Sequence, residues 1–485
     1  MRYFTGESNK ETGYVTTETL RKCLNFTAET QRKGNPVPAL LLLRITPDSC
    51  IFTIRYPLST DTVALLYVST EHRRTLTHHE KKTPEVTVKK IICLVAVCML
   101  IPGVLIAQQS PRLESPVPLP ILAWLGPPAE QTNYGRYKEL ADAGFTHSFS
   151  NFPDPDAMAK ALDIAKAAGI KLLINIPELK TDPEGTVKRF KDHPGTAGYY
   201  LRDEPNAKDF RELADWVKRI RAVDDKHFCY INLFPNYATA EQLGNSSYRE
   251  HIRAFIETVP VKVLSFDHYP VMANGIRPEW YENLVIISDA ARNARKPFWA
   301  FALAVAHDPY PVPSIPNLKL QVYSNLAYRA QGIEYFTYWT PKSTTWNFHE
   351  GPIESDGRRT SVYERVKLVN SELRTLSGIF VGAKVLSVGH VGPDMPRGVK
   401  PYKLLPPFSE IATGDGNAII SWLENGSKKY LVIVNSSVQY TMMLGIMVGG
   451  STQVNRIQKT GDILAVPGSL NMVVSPGDVA IFSWE

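Results

Sequence analysis

The segment Tyr199-Tyr200-Leu201-Arg202-Asp203-Glu204-Pro205-Asn206 puts two adjacent carboxylates at the end of an apolar run, directly before a proline. Charges bordering a core lose hydration and are costly unless paired or used. Side chains alternate direction along a strand, so Asp203 and Glu204 are expected to face different ways, with Arg202 compensating one of them. The plainer reading is an Arg-Asp structural pair with Glu204 solvated at a loop start. Asp267-His268-Tyr269 and His307-Asp308 are the other candidate clusters. His307-Asp308 alone is a poor metal signature, and neither a Cys cluster nor His-Glu-x-x-His occurs, so no metal is expected. A Gly-x-Ser-x-Gly elbow, a phosphate loop and a dinucleotide fingerprint are also missing, so no cofactor is expected.

These residues need elements to hold them. From Leu119 onward short β-like runs alternate with amphipathic helical stretches. Strands are expected over 120–126, 145–150, 171–176, 196–202, 227–234, 261–268, 297–304 and 332–340. Helices are expected over 133–143, 155–168, 207–222, 246–258, 278–294, 316–330 and 360–376. Eight βα units over residues 119–377 predict an α/β fold of the (β/α)8 TIM barrel type. Gly144, Gly169 and Gly332 stand where helices should stop. A doubly wound sheet usually carries a Gly-rich loop after its first strand, and Trp124-Leu125-Gly126-Pro127-Pro128 provides none. Barrel active sites lie at the C-terminal strand ends. Strands one to three should therefore offer Trp124, Asn151 and Asn175, strand four Asp203 and Glu204, strand five Asn232, strand six Asp267, His268 and Tyr269, strand seven His307 and Asp308, and strand eight Trp339.

Asp203-Glu204-Pro205 resembles the Asn-Glu-Pro motif of clan A glycoside hydrolases. The stretch YFTYWTPKSTTWNFHEGPIESDGRRTSVYERVKLVNSELRTL, an aromatic strand, an Asp-Gly turn and a helix, resembles the end of family 42-type and family 5-like barrels. The resemblance covers roughly residues 119–377. It implies that Glu204 is the general acid/base and that Asp203 replaces the Asn that contacts a sugar hydroxyl. It also implies a nucleophilic Glu on strand seven, where KPFWAFALAVAHDPY has none. Asp267 is the first substitute, Glu350 the second and Asp308 the third. Retaining hydrolysis needs carboxyl groups about 5–5.5 Å apart and inverting hydrolysis about 6.5–9.5 Å. Trp124, Tyr269, Trp299, Trp339 and Trp346 are aromatic candidates for stacking on sugar rings, although Trp299 can equally be barrel packing. The expected function is hydrolysis of a β-linked oligo- or polysaccharide; the alternative is a catalytically inactive carbohydrate-binding TIM barrel.

Composition agrees with a globular enzyme: 485 residues, 44% hydrophobic and 21% charged. The net charge of +6 is concentrated in residues 1–110, which leaves the remainder at about +1 and no electrostatic footprint for nucleic acid. Residues 88–107 read as a secretory signal peptide: Lys89-Lys90, an apolar run over 91–107, then Gln108-Gln109-Ser110. Residues 1–87 show no sustained period and are read as a misassigned extension, with Val88 as the true start. Export to the periplasm or medium, with no membrane anchor after cleavage, is the expected localisation. Past residue 380, short strands and turn pairs such as Asp415-Gly416 and Asn425-Gly426 predict a β-sandwich over 380–485, with loop 392–407 covering one face. No motif encodes the sugar, its linkage or an oligomeric state.

Overall fold

The computed structural model describes residues 111–113 and 117–485, and the backbone of 40–46, 49–55 and 64–68. The chain falls into two compact units, divided between Leu105 and Ile106. In the first, Leu40–Thr46, Ser49–Arg55 and Ala64–Val68 form an antiparallel sheet where the sequence shows no sustained strand period. The signal peptide read over 88–107 lies outside the described residues.

The second unit opens with a closed barrel of eight parallel strands: Ile121–Trp124, His147–Ser148, Lys171–Ile174, Thr196–Asp203, Phe228–Leu233, Leu264–Phe266, Phe298–Leu303 and Gly332–Phe336. Strand eight closes on strand one, with Ile333 opposite Ile121 and Phe336 opposite Trp124. The helices follow sequence signals closely. Pro155–Ala167 begins with Asp154 accepting from the Asp156 and Ala157 amides, carries Pro155 at its first position, and ends before Gly169 at φ 83°. Gly144, at φ 86°, likewise ends the helix Tyr134–Asp142. Gly332 differs from the expected helix stop. It starts strand eight, where a Cβ would meet the Trp299 indole at 2.6 Å, so it is a close-approach glycine, and Arg329 takes the positive φ instead.

Beyond the last barrel helix, Ser361–Phe380, the chain forms two antiparallel sheets. One has six strands, in the order Lys384–Val391, Ala418–Asn425, Lys428–Asn435, Val479–Trp484, Asn455–Ile457 and Ile463–Ala465. The other has Phe408–Ala412, Met442–Val448 and Ser469–Val474. Ile420, Trp422, Leu431 and Ile433 face Phe408, Met442, Leu444 and Ile446 across the sandwich core. Tyr402 and Leu405, from the predicted covering loop, pack on the same core. The other face of the larger sheet, with Ile419, Leu423, Val432 and Val434, belongs to the core shared with the barrel helices. Both faces are therefore dry, which explains the unbroken apolar runs in its central strands.

Candidate active site

A cavity of about 310 Å³ opens at the C-terminal strand ends, lined by Trp124, Asp203, Glu204, Asn232, Asp267, Tyr269, Phe301, His307, Phe336, Trp346 and Phe348. A larger hollow of about 480 Å³ lies beside Arg112, Asp142 and Arg374. The smaller one is the candidate site, because it gathers Asp203, Glu204 and Asp267 at the strand ends, each raised above the ordinary carboxylate pKa.

The strand-four carboxylates reach one cavity because the backbone departs from simple alternation. A bulge interrupts the pairing of strand four with strand five between Tyr200 and Arg202, and Glu204 then takes φ 44°. Bulges re-aim side chains, and a left-handed residue turns the chain back on itself. The Glu204 N–H donates to the Asn232 carbonyl at 2.9 Å and anchors that turn. The expectation that Asp203 and Glu204 face apart is thus corrected: both line the same wall. Arg202 is not among the groups that shift either carboxyl.

Burial raises Glu204 to about 7, with the negative charge of Asp203 adding to the effect. Asp203 is also raised, by the protein around it, while the Asn232 amide, donating to its Oδ1 at 3.0 Å, opposes the rise. Yet Asp203 keeps an exposed surface, so water reaches it and screens part of that shift. Asp267 is only 9% exposed and stands well above the carboxylate range, through burial first and then the charges of Glu204 and Asp203. Asn232 and Tyr269 favour its charged form, but its buried Oδ1 has no hydrogen-bond partner. Three mutually repelling carboxyl groups cannot all ionise near neutrality, so protons are retained among them.

The walls are aromatic. Trp124 is braced by Phe149, Phe301, Tyr200 and Tyr230, with ring centroids 4.6 to 5.9 Å away. Trp346 is 53% exposed at the rim, and His307 packs against Trp346 and Phe348.

Other predicted residues lie apart. Asn175 donates to Asn151 at 2.7 Å. Asn151 and Trp339 line a separate hollow of about 330 Å³, and the Trp339 ring is covered by the Arg136 guanidinium. His268 is turned into the protein, its Nδ1 against Asn283 Oδ1 at 3.0 Å, and burial lowers its pKa to about 3. Neither Asp308 nor Glu350 lines the carboxyl cavity; Asp308 accepts from the Asn347 amide instead. Trp299 is buried against Phe228 and His147, which favours the packing reading. Asn232 and His307, which the sequence places at the ends of strands five and seven without a role, also line the cavity, and sequence reasoning missed Phe301, Phe336 and Phe348. The apolar lining residues carry no signal distinguishing them from core. Among the described residues no group of three or more His, Cys, Asp or Glu has an arrangement that could hold a metal ion. No described helix is long and apolar enough to cross a membrane.

Neither a protein-family model nor a curated protein matches this chain. The fold is similar to solved structures of glycoside hydrolases. A β-galactosidase from Bacillus circulans sp. alkalophilus aligns at TM-score 0.51 and 11% identity, over 77% of this chain and all of that one. A family 39 glycoside hydrolase from Bacteroides cellulosilyticus WH2 aligns at TM-score 0.45 and 11% identity, over 90% of this chain and 87% of that one. An α-L-arabinofuranosidase from Thermotoga maritima aligns at TM-score 0.40 and 10% identity, over 72% and 89% of the two chains. At 11% identity, the likeness to the first of these is one of fold.

Proposed function

We propose that the protein is a glycoside hydrolase acting on a β-linked oligo- or polysaccharide, with Glu204 as general acid/base and Asp267 as the second carboxyl group. The observation carrying this reading is the convergence of Asp203, Glu204 and Asp267 on one aromatic-walled cavity at the catalytic end of the barrel. A Glu raised to about 7 is protonated in about half of the molecules at neutral pH and can give that proton to a leaving glycosidic oxygen. Asp267 acts as base or nucleophile only as the carboxylate, so its proton must first leave to water in the open cavity; the positive charge developing on the sugar ring then stabilises that carboxylate. Asp203, solvated and held by Asn232, is suited to accept a sugar hydroxyl. Trp124 and Trp346 offer rings on which a pyranose can stack.

Reducing-sugar release from a broad panel of β-linked glycans tests this, with Glu204→Gln and Asp267→Asn alongside. Activity that collapses in both variants is expected. Saturable glycan binding without turnover in the parent would replace the reading with a non-catalytic sugar binder. Export rests on residues 88–107, and N-terminal sequencing of the native protein, expected to begin at Gln108, tests it separately.

A further inference from the structure

Behind the cavity floor lies a carboxyl group that the proposed reaction does not use. Glu334, in the middle of strand eight, is fully buried in the barrel interior. Its Oε1 lies 2.7 Å from Ser265 Oγ, and its Oε2 accepts from the Tyr230 hydroxyl. Ser265 Oγ lies 2.9 Å from both Asn232 Oδ1 and the Tyr230 hydroxyl. The Asn232 amide nitrogen donates onward to Asp203. The groups acting on Glu334 from the packed strands are Tyr230, Ser265 and Asp203, with no cation among them.

Counting hydrogens along this chain decides its direction. Asn232 Oδ1 can only accept, so with Nδ2 facing Asp203 the single Ser265 hydrogen must point to Asn232. The Ser265–Glu334 contact then needs a hydrogen from Glu334, and the Tyr230 hydrogen goes to the remaining Glu334 oxygen. A carboxylic acid supplies a hydrogen to three of the four contacts and leaves only the approach of the Tyr230 and Ser265 hydroxyls without one, whereas a carboxylate supplies two. A carboxylate would draw the Ser265 hydrogen to itself, leave Asn232 Oδ1 without a donor, and put an unpaired charge in the core. Burial, which raises Glu334 to about 8, acts in the same sense.

We propose that Glu334 is a positioning residue that works as a neutral acid: its O–H orients Ser265, Ser265 orients the Asn232 amide, and the amide N–H favours the charged form of Asp203. Glu334 meets no substrate. Its consequence for catalysis rests on the hydrolase reading, whereas its protonation and its hold on Asp203 do not.

The test reads those first. Infrared difference spectra of the whole protein at mildly acidic pH should show a protonated-carboxyl C=O band that is lost in Glu334→Gln. Carbon-13 NMR titration of Asp203 should be unchanged in Glu334→Gln, whose amide donates to Ser265 and accepts from Tyr230 as the acid does. In Ser265→Ala, which breaks the chain with one atom removed, the Asp203 pKa should rise. If a substrate is found, Glu334→Gln should keep kcat/KM within about twofold and leave its pH profile unmoved, while Ser265→Ala lowers kcat/KM by about tenfold and shifts the profile. An ionised Glu334 at that pH, or an Asp203 titration indifferent to Ser265→Ala, would overturn the proposal even if the protein hydrolyses no glycan.

Discussion

The side-chain amide of Asn232 donates to Asp203 across 3.0 Å, linking the ends of strands five and four, while the Asn232 carbonyl receives the Glu204 N–H. One residue thus restrains both strand-four carboxylates. Replacing Asn232 with Ala should remove a donor to Asp203 and leave the buried Ser265 hydroxyl without its amide partner. With a substrate identified, kcat/KM should drop by roughly 10²-fold with the fold retained, as checked by steady-state kinetics and circular dichroism.

Glu204→Gln keeps shape and removes the transferable proton. Loss of about 10²–10⁴-fold in kcat is expected for a leaving group that needs protonation. Substrates with very acidic phenol leaving groups should lose much less, because they depart without a proton. Comparing the two substrate classes separates loss of acid catalysis from loss of binding.

The pH dependence follows from the same group. A donor with a pKa raised to about 7 is active below that value and fails above it, so kcat/KM should fall as pH climbs through about 7. Burial causes most of the rise and Asp203 the rest. Asp203→Asn should therefore move the alkaline limb to lower pH without erasing it. An unmoved limb would assign that titration to another residue.

Stability has its own pH signature at the opposite end of the barrel. Asp224, just before strand five, accepts from the Tyr199 hydroxyl at 2.6 Å and from the Lys226 and His227 amides, and its Oδ2 lies 2.7 Å from His227 Nδ1. Burial alone would raise this carboxyl, but those bonds hold it down at about 2. A depressed folded-state pKa stabilises above the unfolded value, near 4, and the gain is lost as pH falls toward about 2. Asp224→Asn should cost about 2 kcal/mol at neutral pH, shrinking as the solution is acidified, measured by urea unfolding across that range.

Between barrel and sandwich, Lys319 pairs with Glu372 at 2.7 Å and Asp478 at 3.1 Å, and Lys459 pairs with the same two carboxylates. Asp478→Ala would leave two sheltered ammonium groups sharing one partner. A loss of about 3 kcal/mol is expected, and the thermal transition should remain single rather than split by domain. Two separated transitions would show that the interface does not couple the halves.

The barrel was legible because its signals are local and repeated: period-2 runs, amphipathic stretches, and glycines such as Gly144 and Gly169 at helix ends. The strand-four carboxylates were legible by type, since Asp203-Glu204-Pro205 after an apolar strand has few inexpensive uses. Their shared orientation was not, because a bulge at Leu201 and the left-handed turn at Glu204 overrule alternation through tertiary contacts. His268 looked like a site residue beside Asp267, yet alternation there holds and sends it to Asn283. Glu334 was overlooked within Gly332-Ile333-Glu334-Tyr335-Phe336, although a lone carboxyl amid apolar strand residues was itself the signal.

The helix Ile315–Ala327 has no watery side: every residue from Leu318 to Ala327 is buried, with the larger sandwich sheet contributing to its cover. Gly477 presses so close that a Cβ there would meet the Pro316 carbonyl at 2.2 Å. A gene fragment ending after the last barrel helix would present that helix to solvent as an adhesive stripe. Such fragments should be lost from expression libraries, and recombination that trades away the sandwich should rarely leave viable descendants. The two folds are heritable only together.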